Sequence, residues 1–507
     1  MNVIATTTCA SSGHSLRWER LDWRTTHRTV RKLQARIVKA TKEGRRGKVS
    51  ALQWLLTHSL SGKALAVKRV TENQGKRTPG VDGEIWTTPV AKTRAMWSLR
   101  RCGYTPQPLR RVSIPKSNGS PRPLGIPTMR DRAMQALYLL ALDPVSETLA
   151  DKHSYGFRKG RSTQDALAQC FLVLCRPQRS PQWVLEADIQ GCFDHMSHDW
   201  MLEHIPMDTS ILRKWLQAGI VDQGQWFPTE VGTPQGGIIS PTLANVVLDG
   251  LERRLTHRFP RRGGKTPHPK VRLIRYADDC VTTGATQETL EQVKEEVAAF
   301  LAERGLALAP EKTRIVQLSN GFDFLGFNVR TYHGKLLIKP SKDAQGRIHR
   351  RVREVIGGSK AITQYNLIHW LNPLIQGWAN YYRHVVSAET FHTLDSVLWQ
   401  ALWRWAVRRH PKKSRRWVAE RYFHMFGSRH WVFACTKSHH PHGEQEWVKL
   451  AAASDIKIRR HVKVKADANP YDSEWTQYFL GRRSVMAGPH RSLRGLSRIR
   501  GNSYVRF

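Results

Sequence analysis

Apolar residues follow two kinds of spacing along the chain, one typical of helices and one typical of strands. Together they predict a mixed α+β protein. Apolar residues recur every three or four positions in several segments, as at Val30, Leu33 and Ile37, which is the spacing of one buried helix face. Other segments are short apolar or alternating runs bounded by turn-forming residues, which is typical of β-strands. The predicted extended segments are Leu109–Pro127, Trp183–Ile189, Val271–Gly284 and Phe322–Arg330. The first predicts a basic β-hairpin that turns at Asn118-Gly119.

Long helical segments separate the extended runs. The helical pattern covers Arg130–Leu149, Ser240–Leu255, Gln287–Arg304 and Ile362–Arg409. In the second of these, Ser240 and Pro241 have the residue types of an N-cap and a first helical position. Pro340–Arg353 is rich in basic residues and is predicted as a linker.

The composition adds a strong positive charge to this pattern. Among 507 residues, 81 Lys and Arg face 41 Asp and Glu, so the formal net charge is +40. A hydrophobic content of 40% with 18 tryptophans is enough for packed cores, which excludes a disordered tail protein. The charge favours polyanion partners, with an anionic membrane as the weaker candidate.

Targeting and disulfide signals are weak in this sequence. The longest apolar run, Ala136–Leu142, is much shorter than the roughly 20 residues that span a bilayer. The first sixteen residues contain no Lys or Arg, which is unlike a secretory signal. Seven cysteines without a C-x-x-C pair argue against a disulfide scaffold and against a cysteine-built zinc site. We therefore expect a cytoplasmic protein, associated with nucleoid or ribonucleoprotein and not with membrane.

The charge and the tryptophans are concentrated towards the C-terminus. Residues 341–507 contain 30 Lys and Arg against 11 Asp and Glu, and they hold 9 of the 18 tryptophans. Interleaved aromatic and basic residues suit phosphate contact combined with base stacking. A helical domain with a solvated basic face would give the same composition, and charge alone does not decide between the two.

Three carboxylates are the candidate chemical centre. Asp188 follows the predicted strand at Trp183, and Asp278 and Asp279 lie in a tight turn between two apolar runs. A single Asp in a turn commonly caps local backbone, but adjacent acids at a hairpin tip repel one another unless a cation binds them. If the two strands are neighbours, the acids converge and can hold two Mg²⁺ ions about 3.5–4 Å apart, an arrangement that suits nucleotidyl transfer. Oxygen ligands favour Mg²⁺ over zinc.

A series of ordered motifs surrounds these acids, and it resembles that of the bacterial group II intron reverse transcriptase/maturase family. The central boxes are IPKSNGSPRPLGIPT (Ile114–Thr128), SYGFRKGRSTQDAL (Ser154–Leu167), ADIQGCFDH (Ala187–His195), GTPQGGIISPTLAN (Gly232–Asn245), YADD (Tyr276–Asp279), LAPEKT (Leu308–Thr313) and FDFLGF (Phe322–Phe327). The flanking motifs TPGVDG (Thr78–Gly83), LNPLIQGWANYY (Leu371–Tyr382) and RRHPKKS (Arg408–Ser414) are similar to this family in particular. The resemblance covers roughly residues 67–414 and is fainter beyond.

The resemblance implies a right-hand polymerase with fingers, a palm built on an antiparallel sheet, and a helical thumb. It implies an N-terminal extension over residues 1–66, fingers and palm over 67–340, and a thumb or maturase domain X over 341–414. Residues 415–507 then form a small basic DNA-binding region. The last cysteine is Cys435, with no later Cys pair to bind a nuclease metal, so no endonuclease domain is expected.

Residue roles in the active site also follow from the resemblance. Asp188, Asp278 and Asp279 match the catalytic, metal-binding acids, and the Ile189 carbonyl matches an additional metal ligand. The residues implied to bind the incoming dNTP are Lys116, Arg122, Phe193 and Gln235. Among them, Phe193 matches the aromatic gate that excludes a ribose 2′-hydroxyl. The alternative interpretations are solvated hairpin cations for Lys116 and Arg122, and an ordinary core residue for Phe193.

Further residues are assigned to primer and RNA binding. Phe324, Leu325 and Gly326 resemble the primer grip, and Lys312 is either a general acid towards pyrophosphate or a surface lysine. The exposed basic face expected to bind RNA consists of Arg404, Arg408, Arg409, Lys412 and Lys413. The helical core of the thumb is expected to contain Trp370, Trp378, Trp399, Trp403 and Trp405.

The function implied is that of an RNA-directed DNA polymerase and intron maturase that uses two Mg²⁺ ions. Its expected partners are a group II intron RNA, a target DNA and dNTPs, and its oligomeric state stays open. One alternative is a splicing-only RNA-binding maturase, which the intact acids Asp188, Asp278 and Asp279 disfavour. Another is a retron or diversity-generating reverse transcriptase. An RNA-dependent RNA polymerase is disfavoured by Phe193 and Ala277.

Overall fold

A computed structural model describes residues 17–115, 121–176, 179–260, 268–437 and 446–487. The described helices are α1 (Trp23–Lys42), α2 (Arg46–His58), α3 (Leu60–Glu72), α4 (Pro89–Ser98), α5 (Met129–Leu149), α6 (Thr163–Leu174), α7 (Cys192–His195), α8 (His198–His204), α9 (Thr209–Leu216), α10 (Ser240–Leu248), α11 (Leu251–Arg258), α12 (Gln287–Ala302), α13 (Lys342–Gly358), α14 (Gln364–Tyr382), α15 (Ala388–Arg409), α16 (Arg415–Tyr422) and α17 (Thr476–Ala487). The described strands are β1 (Leu109–Pro115), β2 (Pro121–Ile126), β3 (Trp183–Ala187), β4 (Ile220–Asp222), β5 (Gln225–Phe227), β6 (Arg272–Tyr276), β7 (Asp279–Gly284), β8 (Arg314–Gln317), β9 (Phe322–Phe324), β10 (Phe327–Tyr332), β11 (Lys335–Pro340), β12 (Phe423–Phe426), β13 (Arg429–Thr436) and β14 (Trp447–Lys449). The mixed α+β class predicted from the two periods is confirmed.

The first helices pack around α5, which is buried on nearly every side. The side chain of Asp22 caps the first helix by accepting bonds from the amides of Arg24 and Thr25. Helices α1, α2 and α3 all contact α5, and α3 is continuous across residue 66. The predicted domain boundary between residues 66 and 67 therefore falls inside helix α3.

The predicted basic hairpin forms an antiparallel pair of strands, β1 and β2, whose connection lies outside the described residues. Strand β1 also pairs in parallel with β4, so the hairpin belongs to a four-stranded sheet of order β2-β1-β4-β5. This sheet approaches the rest of the molecule through the amide of Gly125, which donates to the carbonyl of Gln235 at 2.8 Å.

A second four-stranded sheet of order β6-β7-β3-β8 forms the palm. Alternate residues of its strands face opposite sides, so Leu185 and Leu273 join the core beneath α12, whereas Val184 and Ile274 join the core beneath α6. The second core continues into the thumb helices. Both faces of the sheet are therefore covered, and β3 and β6 contribute apolar residues to each of the two cores.

The helix expected over Ser240–Leu255 is two helices, which corrects that prediction. Helix α10 ends at Leu248, and Gly250 adopts a φ of +101° before α11 begins. This backbone region favours glycine, and it redirects the chain between the two helices. Ser240 is the first helical residue and Ile239 is the N-cap, so the predicted cap at Ser240 is also wrong by one position.

The prediction of a basic linker over Pro340–Arg353 is wrong, because most of this segment lies in helix α13. Ala344, Ile348, Val352 and Ile356 form an apolar stripe at a spacing of four and are buried. The composition of this segment does not indicate the stripe, because Arg and Lys on the other faces of the helix make the segment basic on average.

The tryptophans of the thumb do not all contribute to its core. Trp378 and Trp405 are buried, as expected. Trp370 is 59% exposed and Trp399 is 40% exposed, so assigning these two to the core is wrong. Trp403 is partly buried. The tryptophan stripe therefore has a buried side and an exposed side.

The C-terminal region packs against the rest of the chain. Strands β12, β13 and β14 form a three-stranded sheet beside α14 and α16. The chain then returns to the palm, where the buried carboxylate of Asp165 accepts bonds from the amide of Val464 at 2.7 Å and from Arg482 at 2.6 Å. The side chain of Tyr471 donates to Asp143 on α5. Residues 415–487, where described, are thus an integral part of one packed structure.

Among the helices that the structure describes, none combines the length and the apolar character needed to cross a lipid bilayer.

Candidate active site

The tight turn that contains the paired acids joins the neighbouring palm strands β6 and β7. Tyr276 pairs with Asp279 at the end of the ladder, and Ala187 of β3 pairs with Cys280. Asp188 follows Ala187 directly, so the end of β3 meets the turn at one edge of the sheet. The predicted convergence of Asp188 with Asp278 and Asp279 follows from this antiparallel register.

The segment before β8 closes the other side of Asp188. The carbonyl of Asp188 accepts a bond from the amide of Ala309 at 2.9 Å, and the amide of Gln190 donates to Ala307 at 2.9 Å. Ile189 forms an antiparallel bridge with Leu308 of this segment. The metal-ligand role of the Ile189 carbonyl stays a prediction.

Buried polar contacts shape the acidic turn. Ala277 adopts a φ of +59°, a left-handed conformation that costs energy in a residue other than glycine. The buried guanidinium of Arg275 donates to the carbonyl of Ala277 and to the side chain of Asn245, both at 3.2 Å. Arg275 also pairs with Asp249, whose side chain is almost fully buried. This ion pair and its hydrogen bonds hold the backbone of the turn.

A glycine of the SYGF motif contacts the same turn from behind. A Cβ atom on Gly156 would lie 2.2 Å from the amide nitrogen of Ala277, so no larger residue fits there without movement. The carbonyl of Gly156 accepts a bond from Asn245 at 3.0 Å. The site prediction from sequence omitted Gly156, Asn245 and Arg275. Gly156 belongs to the SYGFRKGRSTQDAL motif and Asn245 to the GTPQGGIISPTLAN motif, so these motifs are the sequence signal that could have indicated both residues.

The neighbouring acids affect the pKa of Asp279. Burial, together with the negative charges of Asp278 and Asp188, raises the pKa of Asp279 to about 7. The Lys312 ammonium opposes this effect, since its Nζ lies 2.6 Å from Oδ2 of Asp188. The bond to Asp188 raises the pKa of Lys312 above its usual value and so keeps the ammonium charged.

The donor set suits a hard divalent cation, although it does not form a closed cage. Carboxylate and backbone carbonyl oxygens are the ligands that Mg²⁺ prefers, and a positive charge would relieve the repulsion at Asp279. In the described part of the chain, no three His, Cys, Asp or Glu side chains form a metal-binding group as they stand. Among the described residues, Lys312 forms an ion pair with Asp188.

A chain of side chains connects the fingers to the palm beside the acids. Nε of Arg122 on β2 donates to Oε1 of Gln235 at 2.9 Å, and Nε2 of Gln235 lies 3.3 Å from both carboxylate oxygens of Asp194. Three predicted motifs therefore meet at Gln235. Lys116, the other predicted finger cation, lies outside the described residues.

Phe193 lies in the short helix α7 just after Asp188. Its side chain is buried, with its ring 6.4 Å from that of Phe157 in an edge-on arrangement. The amide of Thr233 donates to the carbonyl of Phe193 at 2.7 Å, and a Cβ on Gly232 would lie 2.6 Å from that carbonyl oxygen. The position of Phe193 is thus held by its backbone as well as by its ring. These contacts are compatible with either a gate or a core residue.

The predicted primer grip is a turn between β9 and β10 that the thumb holds in place. Leu325 and Gly326 have φ values of +54° and +81°, while Phe324 is buried. The hydroxyl of Tyr381 on α14 donates to the carbonyl of Leu325 at 3.1 Å, and the hydroxyl of Tyr382 donates to that of Gly326 at 3.3 Å. The two tyrosines of the GWANYY motif therefore connect the thumb to this turn.

The cations predicted to bind RNA fall into two groups. Arg404, Arg408, Lys412 and Lys413 are exposed at the end of α15 and just beyond it. Arg409 instead lies 4.6 Å from the ring centre of Trp405 and donates to the carbonyl of Ile362 at 2.6 Å. Arg409 thus contributes to the packing of the thumb, which distinguishes it from the other four.

Comparison with protein families places three matches along this chain. Residues 114–329 match reverse transcriptase (RNA-dependent DNA polymerase), and residues 18–99 match the N-terminal domain of reverse transcriptase. Residues 345–423 match the group II intron, maturase-specific domain. The right-hand polymerase fold expected from the motifs accords with the first of these matches.

Two individual proteins are similar in sequence to this chain. Protein YkfC of Escherichia coli (strain K12) is 33% identical over 315 residues, which cover 54% of this chain and 82% of YkfC. The group II intron-encoded protein LtrA of Lactococcus lactis subsp. cremoris is 26% identical over 364 residues, which cover 59% of this chain. The match spans 60% of the length of LtrA.

One solved structure has a weaker similarity. A telomerase from Candida albicans, in complex with the TWJ fragment of telomeric RNA, aligns with a TM-score of 0.35 and 12% identity. The alignment covers 62% of this chain and 64% of the telomerase chain.

Proposed function

Since this chain belongs to the group II intron reverse transcriptase/maturase family, we propose that it copies RNA into DNA at the edge of the palm formed by Asp188, Asp278 and Asp279. The observation that carries this proposal is the meeting of three carboxylates from two neighbouring strands. Burial, together with the charges of Asp278 and Asp188, raises the pKa of Asp279 to about 7. Such concentrated negative charge is costly in a fold unless it serves to bind cations.

The reverse transcriptase domain implies a divalent metal ion, usually Mg²⁺. We propose two such ions, held by the carboxylates of Asp188, Asp278 and Asp279 and by the carbonyl of Ile189. When bound, the ions lower the pKa of a primer 3′-hydroxyl and neutralise charge on the triphosphate. The role of the chain is to supply oxygen ligands on a rigid sheet edge, where Arg275 and Gly156 hold the turn.

The incoming dNTP is proposed to lie between the finger hairpin and the palm. Arg122 presents a guanidinium there, and its bond to Gln235 fixes its orientation relative to the acids. Catalysis of phosphoryl transfer depends mainly on positioning and on charge stabilisation, which a preoriented cation provides. Lys116 belongs to the same proposal on the strength of its motif. Phe193 is proposed to exclude the ribose 2′-hydroxyl.

The second activity is that of a maturase, which binds its own intron RNA. The match of residues 345–423 to the maturase-specific domain supports this assignment. We propose that Arg404, Arg408, Lys412 and Lys413 contact RNA phosphates, since all four are exposed at one end of the thumb. Target DNA is proposed as a further partner of the C-terminal region, which is packed onto the palm through Asp165.

Primer extension tests the polymerase proposal. The full chain is given an RNA template, an annealed DNA primer, dNTPs and Mg²⁺, and the rate is compared with that of Asp278→Asn. The variant should lose at least 99% of the rate because a metal ligand is removed at constant volume. Asp467→Asn, which changes an exposed carboxylate paired with Lys152, is the matched control and should retain the full rate.

Binding of the intron RNA is measured on the same variants. Asp278→Asn should bind RNA as well as the unchanged chain does, because the acids face the primer terminus. Extension by Asp278→Asn at the unchanged rate would contradict the metal-site assignment. A chain that binds intron RNA and promotes splicing but never extends a primer would be a splicing-only maturase.

A further inference from the structure

Three tryptophans form a group on the side of the thumb, and we call them the tryptophan platform: Trp399 and Trp403 on α15, and Trp431 on β13. Trp399 and Trp431 are exposed, and Trp403 is partly buried. The rings of Trp399 and Trp403 are nearly parallel, at 5° and 6.0 Å between centroids. The ring of Trp431 stands almost perpendicular to them, at 6.1 Å from Trp399 and 5.9 Å from Trp403. Phe423 lies beneath all three and is buried.

The backbone at Trp431 is strained. Trp431 has a φ of +60°, a region that bulky side chains rarely adopt. The ladder between β12 and β13 shifts register between His424 and Phe426, opposite this residue. A bulge of this kind redirects a side chain out of the normal alternation of a strand. It directs Trp431 towards Trp399 and Trp403.

Burial does not account for this strained arrangement. Trp431 is 51% exposed and Trp399 is 40% exposed, so much of their aromatic surface faces solvent. The sheet already has a buried aromatic contact to the thumb in Phe433, which lies 5.9 Å from Trp405. Local strain with incomplete burial is typical of residues whose orientation serves binding.

The charge around the platform favours a polyanion as its occupant. From Trp399 to Lys437 the sequence contains ten Lys and Arg and a single acidic residue, Glu420. Arg404, which adjoins Trp403, is exposed, and so is Arg421. Exposed aromatic rings among cations are the arrangement with which proteins stack unpaired bases while they bind the phosphates. Binding of an apolar protein surface would not explain the positive charge around the platform.

We propose that the tryptophan platform binds unpaired nucleobases of RNA by stacking, at a site separate from the polymerase centre. Choosing RNA as the polyanion rests on the proposed maturase function. Trp399 and Trp403 lie within residues 345–423, the stretch that matches the maturase-specific domain, and Trp431 follows shortly after it. The class of ligand is a single-stranded loop or bulge, because paired bases have no free face to offer an indole ring.

Trp431→Gly is the main test, since glycine adopts a φ of +60° without strain. The probe is a 12-nucleotide oligoadenylate RNA, compared with a blunt RNA duplex and with oligodeoxyadenylate. We expect the affinity for the single-stranded RNA to fall about 5- to 100-fold, the range for loss of one stacked base. The duplex should bind unchanged, and Trp431→Phe should retain most of the affinity. Trp54→Ala, which removes an exposed tryptophan of α2, is the control and should have no effect.

The outcomes separate this site from the proposed function and from a purely structural role. The salt dependence of RNA binding by Trp431→Gly should keep its slope, because the phosphate contacts remain. Equal loss for the strand and the duplex, or loss for the DNA strand alone, would overturn the proposal. So would a lowered thermal midpoint in Trp431→Gly with unchanged affinity. Unchanged primer extension in this variant is expected, whereas failure of the unchanged chain to bind any RNA would refute the maturase function itself.

Discussion

The ammonium of Lys312 lies 2.6 Å from the carboxylate of Asp188, so a cation from the segment before β8 neutralises the acid at the end of β3. This contact connects the LAPEKT motif to the proposed catalytic edge of the palm. In the proposed metal site, Lys312 and a divalent ion would compete for the carboxylate of Asp188.

Changing Lys312 to Ala should therefore have two opposite effects on primer extension. The maximal rate should fall about 100-fold if the ammonium donates a proton to the leaving pyrophosphate. The Mg²⁺ concentration at half-maximal rate should also fall, because a competitor for Asp188 is removed. Both quantities come from a Mg²⁺ titration of the single-turnover rate. A surface lysine without a role would leave both of them unchanged.

Asp279 should make the stability of the chain depend on pH. Its pKa is about 7 in the folded state and ordinarily 3.8, so the folded state holds this proton more tightly than the unfolded state does. Stability is then lost as the pH rises from about 4 to 7 and stays constant above that range. Asp279→Asn removes the effect, so without added metal it should raise the thermal midpoint more at pH 8 than at pH 5. A midpoint difference that is equal at both pH values would contradict the raised pKa.

The buried pair of Arg275 and Asp249 should be required for both stability and activity. Arg275→Met leaves a buried carboxylate without its cation, which costs about 3–5 kcal/mol in the free energy of unfolding. Adding Asp249→Asn should recover much of that stability. Primer extension should stay low in the double variant, because the carbonyl of Ala277 still lacks the donor that holds the turn. Denaturant unfolding and single-turnover rates measure the two properties separately.

Phe193→Ala tests the two interpretations of this residue. If the ring excludes the 2′-hydroxyl, the ratio of dNTP to rNTP incorporation should fall at least tenfold. The variant should also lose stability, about 3–5 kcal/mol, because the side chain is buried against Phe157. Stability loss with an unchanged nucleotide preference would leave Phe193 as a core residue. Phe157→Ala is the matched control, since it removes the same packing from the opposite ring.

The exposed cations of the thumb should contribute to RNA affinity through their charge. Replacing Arg404, Arg408, Lys412 and Lys413 with Ala should weaken binding to the intron RNA and reduce the slope of log affinity against log salt by about 3. Primer extension on a short template should be affected less. Arg409→Ala should instead lower the thermal midpoint, because Arg409 bonds to the carbonyl of Ile362. Equal losses in RNA binding and extension would place the four cations on the template path.

Much of the active site could be predicted from the sequence because its residues lie in short motifs with local structural signals. The apolar runs on both sides of Asp278-Asp279 predict two strands with a tight turn, and the structure has them as β6 and β7. The basic hairpin at Leu109–Pro127 likewise follows from its alternation and its turn residues. In these cases the deciding forces act between residues close together in the chain.

Composition misled the prediction where charge concealed a pattern. The basic residues of Pro340–Arg353 suggested a linker, although the buried residues of α13 recur every four positions. The tryptophans of α15 suggested a single core, although a helix exposes one of its sides. Trp405 is buried and Trp399 is not. Helix α15 packs against α13 and against residues Ala453–Asp455, so which of its sides is covered depends on residues outside the helix.

Contacts between distant residues were decided by the tertiary structure alone. The sequence determines which acids are present and in which order. No local sequence pattern predicts the ion pair of Arg275 with Asp249 or the hydrogen bond from the amide of Val464 to Asp165. The left-handed backbone of Trp431 is a similar case, since no tryptophan prefers that conformation. The position of its ring beside Trp399, Trp403 and Phe423 is set by contacts between different elements of the fold. Local propensity is set by neighbours in sequence, but burial and charge compensation are set by neighbours in space.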